Sequence, residues 1–357
     1  MLQLSSVPRV KCKSEILSVE IQGLERIAME FPELPSRERL SVYNPSSFFC
    51  IDGETFCLVR VETWPYDEGV ISSVCLARVC TDLDHSKVCL ELLHPAHVIL
   101  GDANWEDPWI GRLTDGVGIK LLVSVVRSGR NGYWQEIYQI ERDFLNPHLL
   151  SSMLPIVSLP LGQKGVRFFQ IGEKFLVFIR PQGDYELAAN DRGEPKISCG
   201  KGRVGYCVFD SFQVAELENV YNKTFQFVAL PEPINPNDTE SWSGVNDVID
   251  LGNGEVLIVY HRGHLENGKK VYTGHVVRAS LDHQHLEIHR ESAVNFSREM
   301  FDNARGCSLT LYDRDHMLYE IVYPSSATSI MTSSEKMIFI GVGISDCNTQ
   351  FVKLSEI

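Results

Sequence analysis

The chain has 357 residues, 44% hydrophobic and 22% charged, a composition that supports a large packed core and excludes a disordered polymer. Its formal net charge of −14 at pH 7 leaves no broad basic face, so neither nucleic acid nor an anionic membrane surface is an expected partner. No apolar run approaches the ~18 residues that a membrane-spanning helix needs.

At the N-terminus, MLQLSSVPRVKCK lacks the apolar core of a signal peptide, and the expected compartment is the cytoplasm. The acceptor-type triplets at Asn222, Asn237 and Asn295 then have no secretory context and read as chance matches. Residues 1–43 hold an alternating ILSVEIQGL and a charged PSRERL, read as a lead-in strand and extension. From Asn44 onward, short apolar runs bounded by Gly, Asp and Asn recur, which is an all-β pattern.

These runs repeat as a unit: NPSSFFCIDGETFCLVRVE from Asn44, EDPWIGRLTDGVGIKLLVSVVRSG from Glu106, KGVRFFQIGEKFLVFIRPQG from Lys164 and GVNDVIDLGNGEVLIVYHRG from Gly244. Each gives polar residues, a strand, a tight turn, a second strand and a cation: Arg60, Arg127, Arg180, or His261 with Arg262. A looser fifth copy runs from Asn303, with its turn at Asp313-Arg314-Asp315 and Tyr323 in place of the cation. Each unit is long enough for four strands, and radially repeated four-stranded units make a propeller. The expectation is one domain over residues 1–357, a five-bladed β-propeller with a central active-site pocket, whose inner strands begin near Asn44, Glu106, Lys164, Asp247 and Arg305. Two sandwich domains are the rival; they would not produce the recurring polar start and cationic end. The segment LAANDRGEPKISCGKGRVG reads as a loop, and the final MIFIGVGISDCNTQFVKLSEI as two strands that close the ring.

Several familiar signals are weaker than they look. The ten cysteines are scattered, without a CxxC pair, and read as buried free thiols. GKGRVG matches a dinucleotide fingerprint in letters alone, since it follows no strand and opens no helix. His283, His285 and His289 lack a partnering Cys or acid cluster, so no metal site is expected. No GxSxG elbow is present.

The repeat starts bring chemistry together. If the inner strands leave one mouth, then Asn44, Glu106, Asp107, Lys164, Asn246 and Asp247 converge there, with Arg60, Arg180 and His261 returning to it. Carboxylates, amides and cations around one concave site suit a polyhydroxylated ligand that also carries an anion. The plainer alternative is that these residues cap turns and pair between blades.

Taken in order, NP followed by DGETFCLVRVE, then EDP, KGV, RPQG, YH and a terminal GVGISD before LSEI resemble the five-bladed propellers of glycoside hydrolase family 130. The closer resemblance is to the related branch of β-1,2-mannosyltransferase/phosphorylases. It spans Asn44 to Ile357, and its specificity lies in the order of short motifs. The resemblance implies an inverting β-mannoside phosphorylase or mannosyltransferase, working between mannose 1-phosphate and mannose oligomers without a cofactor. It makes Asp107 the general acid. It places Asn44, Arg60 and Asp346 on the mannosyl ring. Glu106 and Asp247, read from the repeat starts, are further substrate-binding candidates, Glu106 for a sugar hydroxyl or a neighbouring arginine. The resemblance assigns phosphate to Lys164, Arg180 and His261; Arg167, two residues after Gly165, is an extra cation of this sequence and a further phosphate-binding candidate. Two departures bear on this: EDPW stands where the family has EDPR, and Lys164-Gly165 where it has KD. A sugar-nucleotide donor such as GDP-mannose, or a non-catalytic carbohydrate-binding propeller, are the alternatives. Trp105, Pro108 and Trp109 are expected to wall Asp107 from water and, with the charge of Glu106, to favour its protonated form.

Overall fold

Runs of β-branched and aromatic residues alternating with polar ones carry almost all of the described chain into strands. The computed structural model describes residues 13–30, 40–63, 72–82, 87–97, 103–115, 118–129, 132–140, 154–159, 163–181, 204–210, 226–228, 230–231, 241–266, 269–302, 321–331, 336–345 and 348–355. Strand β1 (Lys13–Gln22) and helix α1 (Leu24–Glu30) come first. They are followed by β2 (Leu40–Tyr43), β3 (Phe49–Ile51), β4 (Glu54–Thr63), β5 (Ser72–Asp82) and β6 (Lys87–His97). Next are β7 (Ala103–Asp115), β8 (Gly118–Gly129), β9 (Gly132–Ile140) and β10 (Val157–Ser158), then β11 (Gln163–Ile171), β12 (Lys174–Pro181), β13 (Gly205–Phe209) and β14 (Gln226–Phe227). The chain continues through β15 (Ser241–Gly252), β16 (Glu255–Glu266), β17 (Lys269–Asp282) and β18 (His285–Phe296), the short helix α2 (Arg298–Asp302), and β19 (Val322–Met331), β20 (Lys336–Ile344) and β21 (Asn348–Ser355).

β7–β10, β11–β14 and β15–β18 form three four-stranded antiparallel sheets. The remaining strands form one nine-stranded sheet in the order β19-β20-β21-β1-β6-β5-β4-β2, with β3 also on β4. β1 is its seam. From Lys13 to Leu17 it pairs antiparallel with β21, and from Ser18 to Gln22 it pairs parallel with β6. The expected lead-in strand therefore joins the two ends of the described chain. Apolar cores lie between neighbouring sheets: Trp109, Phe168, Val177 and Ile258 belong to one, Leu58, Leu76 and Val125 to a second, Val259, Ile340 and Val352 to a third, and Leu17, Phe48, Val59 and Phe351 to the seam.

The first strand of each hairpin series lies at a sheet edge, and these edges face one another. A cavity of about 430 Å³ between them is lined from β7, β11, β15 and β19, including Trp109, Arg112, Phe168, Asp247 and Thr328. Four of these edge strands are bulged near their starts, at Glu106/Trp109, Lys164/Arg167, Val245/Asp247 and Pro324/Ser326. In the fifth, the strand breaks between β2 and β3. There Leu58 N–H donates to Ser46 Oγ (2.9 Å), and Ser46 N–H donates to Leu58 O (2.7 Å). Pro45, Pro108 and Pro324 lack the N–H an unbroken ladder would use, and each stands at one of these breaks.

Two expectations are corrected. The fifth edge strand is β19, beginning at Val322, so Tyr323 opens a first strand and does not end a second one. The expected start at Arg305 and turn at Asp313–Asp315 lie outside the described residues. β19 reads VYPSSATSIM, and its Ser and Thr residues hide it behind the more apolar segment upstream. The cysteines are not uniformly buried: Cys57, Cys75 and Cys207 are, whereas Cys50 and Cys80 are exposed and Cys89 is partly exposed. In a strand with one solvated face, alternation alone decides this.

The seam yields a prediction. Leu17 is 3% exposed in the core that β1 shares with β4, β5, β6 and β21. Leu17→Ala is expected to lower unfolding stability by about 2–5 kcal/mol, read from urea denaturation. A change within about 0.5 kcal/mol, the range of an ordinary surface substitution, would contradict a packed closing strand.

Candidate active site

The edge-strand breaks position the polar groups. Asn44 and Asp107 both take left-handed backbone conformations, at φ 50° and 46°, which turn their side chains out of the strand alternation toward the centre. Asn44 Nδ2 donates to Asp107 Oδ1 at 2.9 Å. Arg60 faces both acids, with Nη1 3.6 Å from Asp107 Oδ1 and Nη2 3.6 Å from Glu106 Oε1. Glu106 also accepts from Ser128 Oγ.

Arg60 is itself held from behind. It forms an ion pair with fully buried Glu62, which also accepts from Tyr43 Oη at 2.7 Å. Arg60 Nε donates to Ser72 Oγ at 2.8 Å, and Ser72 Oγ donates to Trp105 O at 2.9 Å. Burial works against the charge on Arg60, but Glu62, Tyr43, Glu106 and Asp107 outweigh it and hold the guanidinium well above its usual range.

A second group holds cations, with Arg167 within electrostatic reach of Asp107. Arg167 is 4% exposed, with its guanidinium 5.4 Å over the Trp109 ring. Nη1 donates to Val166 O at 3.2 Å, Nε has no partner, and no salt bridge to Arg167 is found among the described residues. Burial pulls this guanidinium below its usual value, and neighbouring Arg180 adds to that, against attraction from Tyr323, Asp107 and Asp247.

Arg180 Nη1 lies 2.7 Å from His261 Nε2. A guanidinium only donates, so Nε2 accepts and the ring proton is on Nδ1, which donates to Asn246 Oδ1 at 2.9 Å. Tyr323 Oη donates to the same amide oxygen at 3.2 Å, and Asn246 Nδ2 donates to Pro324 O. The expected three-cation cluster thus contains one neutral imidazole that orients an arginine. Gly244 permits the arrangement, since a Cβ there would stand 2.5 Å from His261 Cε1 and 3.1 Å from Arg180 Nη1.

Asp247, expected on the sugar, is a buried hub. Its Oδ2 accepts from Ser47 Oγ and from Ala327 N–H (2.7 Å), and its Oδ1 from Val248 N–H (2.9 Å). Ser47 belongs to the β2–β3 break and Ala327 to β19, so one carboxyl ties three edge strands across the centre. Burial raises its pKa to about 6, against the hydrogen bonds that lower it.

Among the predicted site residues, Asn44, Arg60, Glu106 and Asp107 form one group, and Arg167, Arg180 and His261 another. Lys164 is opposite Arg180 in the ladder, but its side chain lies outside the described residues, as does Asp346. Among the described members of the set, Asp247 alone borders the 430 Å³ cavity. The tryptophans do not form the expected dry wall: Trp105 stacks on Tyr138 (5.1 Å) and under Arg127 (5.1 Å), and Trp109 packs on Phe168 (4.8 Å) and Phe169 (5.4 Å). The bulge between Glu106 and Trp109 shifts the alternation by one residue, so the two rings leave opposite faces of β7 into separate cores. Arg127, the second cation of the repeat, is paired with Glu136 at 3.2 Å.

Sequence reading missed Glu62, Tyr43, Ser47 and Tyr323 as parts of the site. Glu62 carried a signal, being an acid two residues beyond Arg60 in an apolar strand. No group of three or more His, Cys, Asp or Glu side chains fit for a metal occurs among the described residues. Gly200 and Gly202 of GKGRVG lie outside them. None of the described helices is long and apolar enough to cross a membrane.

No protein-family model and no curated protein matches the chain. Solved structures do. A mannose phosphorylase from Leishmania mexicana in complex with phosphate ion gives a TM-score of 0.61 at 16% identity, over 95% of this chain and 87% of that one. A hypothetical protein from Leishmania major gives 0.60 at 16%, over 96% and 89%. A GDP-Man-dependent mannosyltransferase from Leishmania mexicana gives 0.57 at 17%, over 96% and 89%. The chain shares the all-β fold of these proteins, the fold that the resemblance implied.

Asp247 yields a prediction with a definite sign. The folded chain keeps this proton up to about pH 6, while the ordinary carboxyl value is 3.8. Its contribution to stability is therefore greatest below the unfolded value and declines as pH rises through about 6. The stability gap between wild type and Asp247→Ala, measured by urea unfolding from pH 4 to 8, is expected to narrow with rising pH. A gap that widens would contradict the assignment.

Proposed function

We propose that the chain is an inverting β-mannoside phosphorylase or β-1,2-mannosyltransferase, moving mannosyl units between mannose 1-phosphate and a mannose chain. It would be a single domain, a five-bladed propeller in which the nine-stranded sheet counts as two blades joined through β1. The observation that carries the reading is Arg167 beside Arg180: neighbouring buried guanidiniums, one without a salt bridge among the described residues, in an otherwise acidic chain. A neutral sugar does not compensate buried positive charge, whereas a phosphate shared by two guanidiniums does. This favours phosphorolysis over simple carbohydrate binding.

In this reading Asp107 gives a proton to the glycosidic oxygen as its bond to the anomeric carbon breaks. A phosphate oxygen forms its bond to that carbon from the opposite face. The anionic nucleophile needs no second carboxylate as base. Arg167 and Arg180 hold the phosphate, Lys164 joins them from the start of β11, and His261 orients Arg180. Asn44, Arg60 and Glu106 place Asp107 and the mannosyl ring, and Asp346 binds the ring as the resemblance implies. Asp247 acts by tying strands together. Phosphate and mannose 1-phosphate are substrates, no cofactor is invoked, and the compartment proposed is the cytoplasm.

A second reading, GDP-mannose as donor, is favoured by the aromatic cluster beside the cations. Tyr272 lies 5.5 Å from Trp242 and 6.1 Å from Tyr323, and Tyr323 lies 4.7 Å from His261. Such rings suit stacking of a nucleobase.

Incubation with mannose 1-phosphate and mannose is expected to give oligomers and one phosphate per bond formed. Asp107→Asn should lower turnover by ~10²- to 10⁴-fold with sugar binding retained. Arg167→Met should weaken phosphate binding by ~10- to 100-fold, the scale of a lost charged hydrogen bond. Activity with GDP-mannose alone selects the second reading, and a fully active Asp107→Asn rejects the acid assignment.

A further inference from the structure

Cys80 on β5 and Cys89 on β6 are directly opposite in the antiparallel ladder, away from the register shifts near Val74 and Leu76. Directly opposed side chains leave the same face of a sheet. That face is the solvated one. Two residues away, Arg78 and Glu91 form an ion pair at 2.7 Å, Lys87 pairs with Glu20 nearby, and the alternate residues Val79, Val88 and Leu90 are buried. Cys80 is exposed and Cys89 partly exposed, and both are free. Directly opposed residues have Cα atoms ~4.5 or ~5.5 Å apart, and both values fall within the ~4.4–6.8 Å that a disulfide spans. Burial raises the Cys89 thiol, with Glu20 and Cys80 next among the causes, so the two sulfurs feel each other electrostatically.

The pair stands apart from the candidate active site. On β5 that site is reached at Ser72, which bonds Arg60, and Cys80 is about 26 Å further along at ~3.3 Å per residue. We propose that Cys80 and Cys89 form a reversible dithiol site that closes to a cross-strand disulfide by exchange with a small-molecule disulfide such as oxidised glutathione. The Cys80 thiolate, the more accessible, attacks one glutathione sulfur and forms a mixed disulfide, releasing the first glutathione as thiolate. The Cys89 thiolate then attacks Cys80 Sγ, closing the protein disulfide and releasing the second glutathione. The two protein protons end on the two released thiols, and the small disulfide is the oxidant. The loop closed is short, so cross-linking constrains the unfolded chain less than a longer loop would. The pair serves as a redox-responsive modification site, independent of the carbohydrate reading.

The test treats the folded full-length chain with oxidised glutathione, traps remaining thiols by alkylation and maps them by mass spectrometry. Cys80 and Cys89 are expected to lose alkylation together, to appear as one linked peptide pair without retained glutathione, and to return to thiols with dithiothreitol. Exposed Cys50, opposite Thr55 in its ladder, should keep a glutathione adduct. In Cys89→Ser, Cys80 should accumulate a stable glutathione adduct, and in Cys80→Ser, Cys89 should remain alkylatable. A persistent Cys80 adduct in the wild type would overturn the proposal. So would both thiols staying alkylatable while Cys50 is modified.

Discussion

An interruption of the hydrogen-bond ladder, at the same level in the edge strand of every hairpin series, is the constraint on which the centre of this protein depends. An edge strand presents one row of unpaired backbone groups and can tolerate residues that cannot donate. Here those rows face inward, so Pro45, Pro108 and Pro324 fall where a central strand would reject them. The freed groups are used to tie neighbours together: Ser325 Oγ donates to Pro45 O at 2.7 Å, Phe48 N–H donates to Thr328 Oγ1 at 2.7 Å, and Arg112 Nη2 donates to Phe48 O at 2.6 Å. Five strands that share no ladder become one rigid rim. The rim is what fixes Asn44, Asp107, Arg167 and Asn246 relative to one another.

The rim separates charge. Carboxylates and Arg60 gather where β2, β4 and β7 meet, and the guanidiniums of Arg167 and Arg180 where β11, β12 and β15 meet. Each half is restrained by hydrogen bonds: Glu62 holds Arg60 and accepts from Tyr43, and Asn246 holds His261 and accepts from Tyr323. Burial keeps the Tyr323 phenol neutral, pushed well above its usual value, with the nearby Asp107 adding to the effect. A neutral hydroxyl can donate to Asn246 without adding a charge. Asp247 sits between the halves, and its raised pKa reflects how little water reaches that point.

Much of this was legible in the sequence, because the repeat couples a local pattern to a ring. Polar residues ahead of paired apolar runs marked Asn44, Glu106, Lys164 and Asp247, which fall at the breaks and bulges of the edge strands, although β2 and β15 begin earlier, at Leu40 and Ser241, and the structure brings most of the predicted side chains into two groups. What escaped has physical reasons. β19 is rich in Ser and Thr, so its weak apolar signal shifted the fifth register to residues outside those described. The protonation of His261 depends on a donor-only partner from another sheet, which no local pattern encodes. Trp105 and Trp109 flank the acid in sequence, yet the bulge between them flips the strand alternation and carries their rings into separate cores. Asp247 reads as a ligand from its neighbours in the chain, and the hydrogen bonds by which it ties strands escape that reading because Ser47 lies 200 residues away.

The position of a bound oxyanion is the decisive feature of this centre. A high-resolution crystal structure of the protein grown with phosphate and mannose would decide it. The expected result is phosphate hydrogen-bonded by Arg167 and Arg180, with a mannosyl ring between it and the Asp107 carboxyl. Phosphate bound elsewhere, with Arg167 and Arg180 turned onto protein acceptors and Asp107 out of reach of the sugar, would contradict the assignment of this opening as a site for mannosyl transfer.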